Sequence, residues 1–286
     1  MFAIIGFVVV LGAVVGGYLL EGGNLSVIIQ PIEVLIIFGA ATGAFLISSP
    51  KKVVIQVVGS IGSIFKGHEM GKQGYLDVLL MMFELLNLAR KDGLLAIESH
   101  VNNPDASPIF TKYPSVLANH AVKDFMCDNF KAFLAGNMNS HDLENLMDID
   151  IEAHHHHAMV PSEAISKIAD GMPALGIVAA VLGVVLTMGK ISEPPEVLGH
   201  SIGAALVGTF LGVLTAYGFV GPISQNLAYG AKEHEIQLNV VKTAILACAM
   251  NWPPAMSVEA ARRAISGSER PSFEELEEAI KAARQK

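Results

Sequence analysis

The sequence predicts an all-α integral membrane protein with four transmembrane helices, a large helical cytoplasmic insertion between spans two and three, and a cytoplasmic C-terminal helical tail. Three observations carry this expectation. The chain has 286 residues, 52% of them hydrophobic and 16% charged, with a mean hydropathy of +0.48, whereas an ordinary soluble domain carries about 25% charged residues. Four apolar runs, Met1 to Leu20, Val34 to Pro50, Gly171 to Gly189 and Ser201 to Ala231, approach or exceed the roughly 20 residues that cross a bilayer as a helix. No alternating strand pattern of any length competes with the helical periodicity elsewhere.

The first run lacks a basic flank before it, and Glu21 follows where a small-residue cleavage site would stand. It therefore reads as a retained helix rather than a secretory signal. The second run is entered through Pro31, Ile32 and Glu33. Orientation follows from the basic residues, which concentrate in cytoplasmic loops near span ends. The loop from Glu21 to Glu33 has none and the loop from Lys190 to His200 has only Lys190, so 18 of the 19 lie in the insertion and the tail. Both of those, and both termini, are expected on the cytoplasmic side of the membrane. The chain then divides into residues 1–50 with spans one and two, a cytoplasmic helical domain at 51–170, spans three and four at 171–223, and a tail at 224–286.

Within the insertion, Tyr75 to Ala89 carries apolar residues at helical spacing with charges only at Asp77 and Glu84, and reads as a mostly buried helix. Lys91-Asp92-Gly93 is a turn or helix end, because glycine adopts the left-handed backbone that ends helices. A short helix carrying Glu98 follows near Leu94, and Asn102 to Pro114, with three prolines, is irregular. Val116 to Leu134 and Ser140 to Ile151 read as further helices, the latter opened by Ser140. In the tail, Leu238 to Met250 is apolar, but at 13 residues it is too short to be a fifth span. Trp252-Pro253-Pro254 cannot continue it. Ser257 is expected to cap Val258 to Ser266, and Pro271-Ser272 to open Phe273 to Ala283, whose early glutamates meet the positive end of the helix dipole.

The third and fourth runs contain no Asp, Glu, Lys, Arg or His, and each carries one proline, Pro173 and Pro222. On spacing alone Pro173 sits in a first turn, where its missing N–H is harmless, and Pro222 stops or kinks its helix. Gly171, Gly176, Gly183, Gly208 and Gly212 let neighbouring helices approach closely. Thr209 and Thr215 are the mid-span hydroxyls of the fourth run, free either to bond back to their own helix or to face a water-lined path. An ion path through hydrocarbon needs ionisable or coordinating groups, and the four spans supply none. Either this chain conducts nothing, or a partner helix brings the titratable group.

His154 to His157 reads as a solvated linker, since four consecutive positions cannot all face one ion. Cys127 and Cys248 are far apart in sequence, give no metal-ligand spacing and read as packing residues. A formal net charge of -8 leaves no basic stripe for nucleic acid. Arg90 and Glu98 flank the Gly93 turn as a charged face.

The stretches DGMPALGIVAAVLGV (Asp170 to Val184), VGTFLGVLTAYGFVGPI (Val207 to Ile223) and SERPSFEELEE (Ser268 to Glu278) together resemble the flagellar stator A-subunit (MotA) family within the MotA/TolQ/ExbB proteins, over essentially the whole chain. That resemblance implies a homo-oligomeric ring, a pentamer, around the two membrane helices of a MotB-like dimer whose aspartate accepts the ion. It implies that Pro173 and Pro222 lie beside the ion path and that Thr209 stands near the partner's aspartate. Sodium-type relatives carry a threonine seven residues after the third-span proline. Here that position is Ala180, which argues for H+ as the coupling ion and for no other cofactor. Arg90 and Glu98, with Lys91 beside them, match the family's charged contact with the rotor protein FliG, so residues 51–170 face the rotor. No bond chemistry is implied. The rival readings are a TolQ/ExbB-type energiser with three spans, a sodium-driven PomA-like stator, a transporter with its own substrate site, and a structural membrane scaffold.

Overall fold

The protein is described by a computed structural model covering residues 2–65, 70–136 and 138–284. Among the described residues thirteen α-helices follow in order: α1 Phe2–Leu20, α2 Leu25–Ile28, α3 Pro31–Ser48, α4 Lys51–Ile61, α5 Gly71–Asp92, α6 Glu98–Asn102, α7 Pro114–Leu117, α8 His120–Ala135, α9 Ser140–Met188, α10 Pro195–Thr215, α11 Gly221–Ala249, α12 Pro254–Ala264 and α13 Phe273–Arg284. Short 3₁₀ turns join several of them, and among the described residues there is no strand. Among the described residues, four helical stretches are long and apolar enough to cross a membrane: Phe2–Leu20, Leu25–Ser48, Ser140–Met188 and Pro195–Ala249.

The chain forms two compact units, Met1–Gly67 with Ala158–Gly230, and His68–His157 with Ala231–Lys286. The first is built from α1 to α4, the later part of α9, α10 and the start of α11. Its interior is thin. Ile37 and Ala41 of α3 meet Met172 and Ala179 of α9 and Ala216 just beyond α10, while α1 buries no residue and leaves Val8, Val9 and Leu20 exposed. Apolar side chains that point outward all round a helix suit lipid or a partner helix rather than water. Ser162 and Ser224, both buried, exchange hydroxyl-to-carbonyl hydrogen bonds of 2.8 Å in each direction, tying α9 to α11.

The second unit has a dense apolar core. Helix α5 turns Tyr75, Val78, Leu79, Met82 and Leu86 inward, the spacing of one helix face. They pack with Phe110, Phe125 and Phe130, with Val241 and Ile245 of α11, and with α12. Charges rim this core in pairs: Lys72 with Glu275, Lys112 with Glu84, and Lys242 with Asp148, each at 2.6 Å. Tyr75 donates to Glu233 at 2.6 Å, and burial together with that carboxylate pushes its phenol well above the usual range. Burial likewise pushes the Cys127 thiol up to about 11, as befits an inert packing residue.

Several sequence expectations are corrected. Pro173 does not sit in the first turn of its helix: α9 is one helix of 49 residues with Pro161 and Pro173 in its interior. Neighbouring helices and local adjustment re-satisfy the backbone that such prolines release in a membrane helix. His154 to His157 is therefore helix, not linker. His154 lies 3.5 Å from Asp150 one turn earlier, and His155 lies 3.1 Å from Glu235. No metal-ligating cluster occurs among the described residues. The apolar segment at Leu238 is no separate element but the end of α11, buried in the second unit's core.

Caps are corrected as well. Ser140 does not cap its helix; Asn139 does, accepting at 2.9 Å from the N–H groups of both His141 and Asp142. Ser257 lies inside α12, which starts at Pro254. The expected helix at Val116 is broken, and Asn119 caps α8 by accepting from Val122. Ser272 and Glu275 form a reciprocal capping box at α13. Gly93 ends α5 with φ 90° and ψ 160°, a conformation open to glycine and costly for other residues.

Candidate functional site

The first candidate region is the crossing of α9 and α10. A Cβ built on Gly176 would stand 2.7 Å from the Gly208 carbonyl oxygen and 3.0 Å from the Gly212 Cα. One built on Gly212 would stand 2.8 Å from both the Gly176 Cα and the Met172 carbonyl oxygen. The two backbones thus touch, and only glycine fits at either position. Further along, Gly183 faces Ala205 and Gly208 faces Ala179 and the backbone N of Ala180. Of the five glycines singled out in the sequence, Gly176, Gly183, Gly208 and Gly212 form the contact surface of one tightly joined helix pair, whereas Gly171 has nothing within 4 Å of its Cβ position.

Ala180 lies inside that contact, 8% exposed. Gly208, its neighbour across the crossing, immediately precedes Thr209 in the chain. Thr209 is half-buried, and its hydroxyl has no hydrogen-bond partner among the described residues. Thr187, by contrast, bonds back to the Gly183 carbonyl at 2.9 Å. Pro173 is half-buried and Pro222 exposed.

Pro222 neither stops nor kinks its helix to an end. The turn before it, Ala216–Val220, widens into a π turn in which the Gly221 N–H reaches the carbonyl of Ala216, and α11 then continues. The physical cause is the proline ring, which clashes with the carbonyl four residues earlier and offers no N–H to it. Single π turns inside α-helices are frequent at functional sites. Here Phe219 packs against Phe7 of α1, with ring centroids 5.1 Å apart.

One group was missed. Glu33 does not lie outside the second span. It occupies the first turn of α3 and is 8% exposed, so this chain does bury a carboxyl within its candidate spans. Because Glu33 stood at the polar end of an apolar run, the sequence assigned it to the loop. The signal that could have found it is Pro31, which prefers the first helical position and so places Glu33 inside.

The second candidate region is the Gly93 turn. Arg90 and Lys91 are exposed in the last turn of α5, and Glu98 is exposed where α6 begins. None of the three forms an ion pair among the described residues, unlike the charges that rim the core nearby. Arg90 borders a cavity of about 460 Å³ lined also by Leu94, Phe133, Asn251 and Trp252. Asn251 there takes a left-handed backbone, φ 61°, which asparagine tolerates better than most residues. The arrangement offers unpaired charge of both signs beside a hollow of mixed polar and apolar lining, whose one thiol, Cys248, is held protonated by burial.

Comparison with known proteins gives these features a family. Residues 4–93 match the motility protein A N-terminal family, and residues 117–239 match the MotA/TolQ/ExbB proton channel family. The chain is 38% identical over 284 residues to motility protein A of Salmonella typhimurium and, equally, to that of Escherichia coli, covering 99% of this chain and 96% of each relative. It is 33% identical over 273 residues to the chemotaxis protein LafT of Vibrio parahaemolyticus, covering 96% of both. The fold matches a chain in the structure of C. jejuni MotAB with a TM-score of 0.79 at 24% identity, over 95% of this chain and 98% of that one. It also matches the flagellar MotAB stator complex of Bacillus subtilis, with a TM-score of 0.74 at 23% identity, over 90% and 92%. With near-complete coverage of these relatives, the chain belongs to the motility protein A family of MotA/TolQ/ExbB proton channel proteins.

Proposed function

We infer that this chain is the proton-conducting A subunit of a bacterial flagellar stator, which couples inward ion flow with a MotB-like partner to torque on the rotor. The observation that carries the reading is the 38% identity to motility protein A across 99% of the chain. The α9–α10 pair agrees with it. A wall that is uncharged, tightly packed and furnished with an unpartnered Thr209 hydroxyl suits an ion path whose aspartate is supplied by another chain. Pro173, Pro222, Thr209 and Ala180 are the residues assigned to that wall. Ala180 leaves no hydroxyl where a dehydrating Na+ would need one, which supports H+. Moving one charge through 100 mV releases about 2.3 kcal/mol, comparable to a few weak contacts, so a step of work draws on several ions.

The finer parts of the reading rest on family likeness. They are a pentameric ring around a MotB-like dimer, a FliG contact through Arg90, Lys91 and Glu98, and an inner-membrane orientation with both termini cytoplasmic. The match of residues 4–93 to the motility protein A N-terminal family and four candidate spans favour a stator over a three-span TolQ/ExbB-type energiser. Deleting the gene should leave cells that build flagella yet do not swim. Swimming that then tracks external Na+ at fixed proton-motive force would overturn the choice of ion, and normal motility would overturn the stator reading.

A further inference from the structure

Glu33 is the buried polar group that the wall described above leaves unexplained. Its Oε2 atom is fully shielded and has no hydrogen-bond partner among the described residues. The carboxyl reaches from α3 into the crossing of α9 and α10. The point where a Gly208 Cβ would stand is 2.9 Å from Oε2, and the corresponding point for Gly183 is 3.6 Å from Oε1. The same Gly208 point is 3.0 Å from the Ala180 backbone N and 3.2 Å from the Ala179 methyl. Two absent side chains therefore make the nook that receives this carboxyl, beside Ala180 and one residue from Thr209.

The geometry points to Glu33 as a second proton-binding site of the path, carried by this chain itself and distinct from the partner's aspartate. The chemistry of the nook fits a proton and no larger cation. Hard cations take several oxygen ligands, whereas the two positions found against this carboxyl, Gly183 and Gly208, bring no side-chain oxygen. Neither position, on α9 or on α10, carries a charge to offset one on Glu33, and taking up a proton removes that cost. The proton comes from water to the carboxyl at Oε1, the oxygen that is not fully shielded, and returns to water, leaving the carboxylate. An ionisable residue held inside a span marks proton relays more often than packing. In the proposed orientation Glu33 stands near the periplasmic end of α3, where the path would load. The inference rests on the stator reading for its direction of flow and on geometry alone for its site.

The test uses the complete complex with its B subunit in lipid nanodiscs, the partner's membrane aspartate replaced by asparagine. Infrared difference spectra across a pH series should show a carboxylic-acid carbonyl band that titrates, is lost in Glu33→Gln and is shifted in Glu33→Asp. In vesicles holding the unmodified partner, proton uptake should fall in Glu33→Gln and recover in Glu33→Asp. A titrating band that survives Glu33→Gln, or uptake equal to the unsubstituted complex, overturns the proposal. Should Glu33→Gln fail to assemble, a Glu33→Asp spectrum identical to that of the original complex overturns it equally. If the unsubstituted complex conducts no protons, the stator reading fails, while the band still reports whether Glu33 titrates.

Discussion

The two compact units of this chain hold themselves together by opposite means. The unit of residues 68–157 and 231–286 is filled with bulk: Tyr75, Phe83, Phe110, Phe125 and Phe130 are all 2% exposed or less. The unit of residues 1–67 and 158–230 is joined by what is missing, at Gly176, Gly183, Gly208 and Gly212, where backbone meets backbone. Water drives the first kind of packing. In lipid, tails are as apolar as leucine, so close approach and dispersion contacts must do the joining. One unit should therefore suffer when side chains are removed, and the other when they are added.

The largest expected effect tests the first half of that contrast. Phe130→Ala leaves a cavity in a core that cannot collapse around it, at a cost of about 3–5 kcal/mol. The outward-facing Val181 of α9 is 55% exposed, and its change to alanine should cost far less. Thermal unfolding of the purified complex reads both, and equal losses would erase the difference between the units.

Next comes the buried ion pair of the second unit. Glu259 accepts two hydrogen bonds from Arg262, at 2.7 and 2.8 Å, and one from Arg263 at 2.9 Å. The Arg262 guanidinium above all holds its carboxyl below the usual range, against the opposing pull of burial. The stability this supplies is complete above the unfolded carboxylate value of about 4.3. It is lost as pH falls through the lower folded value. Glu259→Gln should cost about 1.5–3 kcal/mol at neutral pH and flatten the acid limb of the melting profile. An unchanged acid limb would show that other carboxylates carry it.

The second half of the contrast predicts opposite outcomes for one substitution. Gly212→Ala puts a methyl 2.8 Å from two backbone atoms, so α9 and α10 must part. Overpacking of that kind costs about 1–3 kcal/mol, and motility should fall with it. Gly171→Ala lies on α9, the other helix of the crossing, with nothing within 4 Å, and should gain about 0.5–1 kcal/mol from reduced backbone freedom. If both destabilise alike, the crossing is not what the glycines serve.

What was legible in the sequence follows the same division. Spans, the α5 face and the Gly93 turn are local in origin, set by hydropathy, by helical period and by one backbone angle, and could be read from neighbours in the chain. The glycines at 176, 183, 208 and 212 announced close packing, but not which helix would be met. Pro173 and Pro222 misled because a proline ends a helix only where water or a turn can take over the released backbone groups. Inside a span the helix continues, and at Pro222 the strain appears as a π turn. Glu33 was misplaced because burial of its carboxyl depends on two glycines about 150 or more residues away, a relation no window of sequence contains.

The smallest expected effect on stability is also the one that separates folding from work. Arg90 and Glu98 are exposed and unpaired among the described residues, so reversing both, Arg90→Glu with Glu98→Arg, should shift unfolding by no more than about 0.5 kcal/mol. Membrane accumulation should stay at the original level. If the two charges steer and register a rotor contact, torque should nevertheless drop. The remaining torque should be less sensitive to salt than that of the original chain, because screening acts over about 8 Å at physiological ionic strength and the attraction it weakens is already gone. Lys91→Glu added to the pair should deepen the loss. Full swimming speed in the double reversal would remove these residues from the contact, while a lower melting temperature would return them to the fold. A loss of torque at constant stability is an outcome that neither the bulk of one unit nor the glycines of the other can produce.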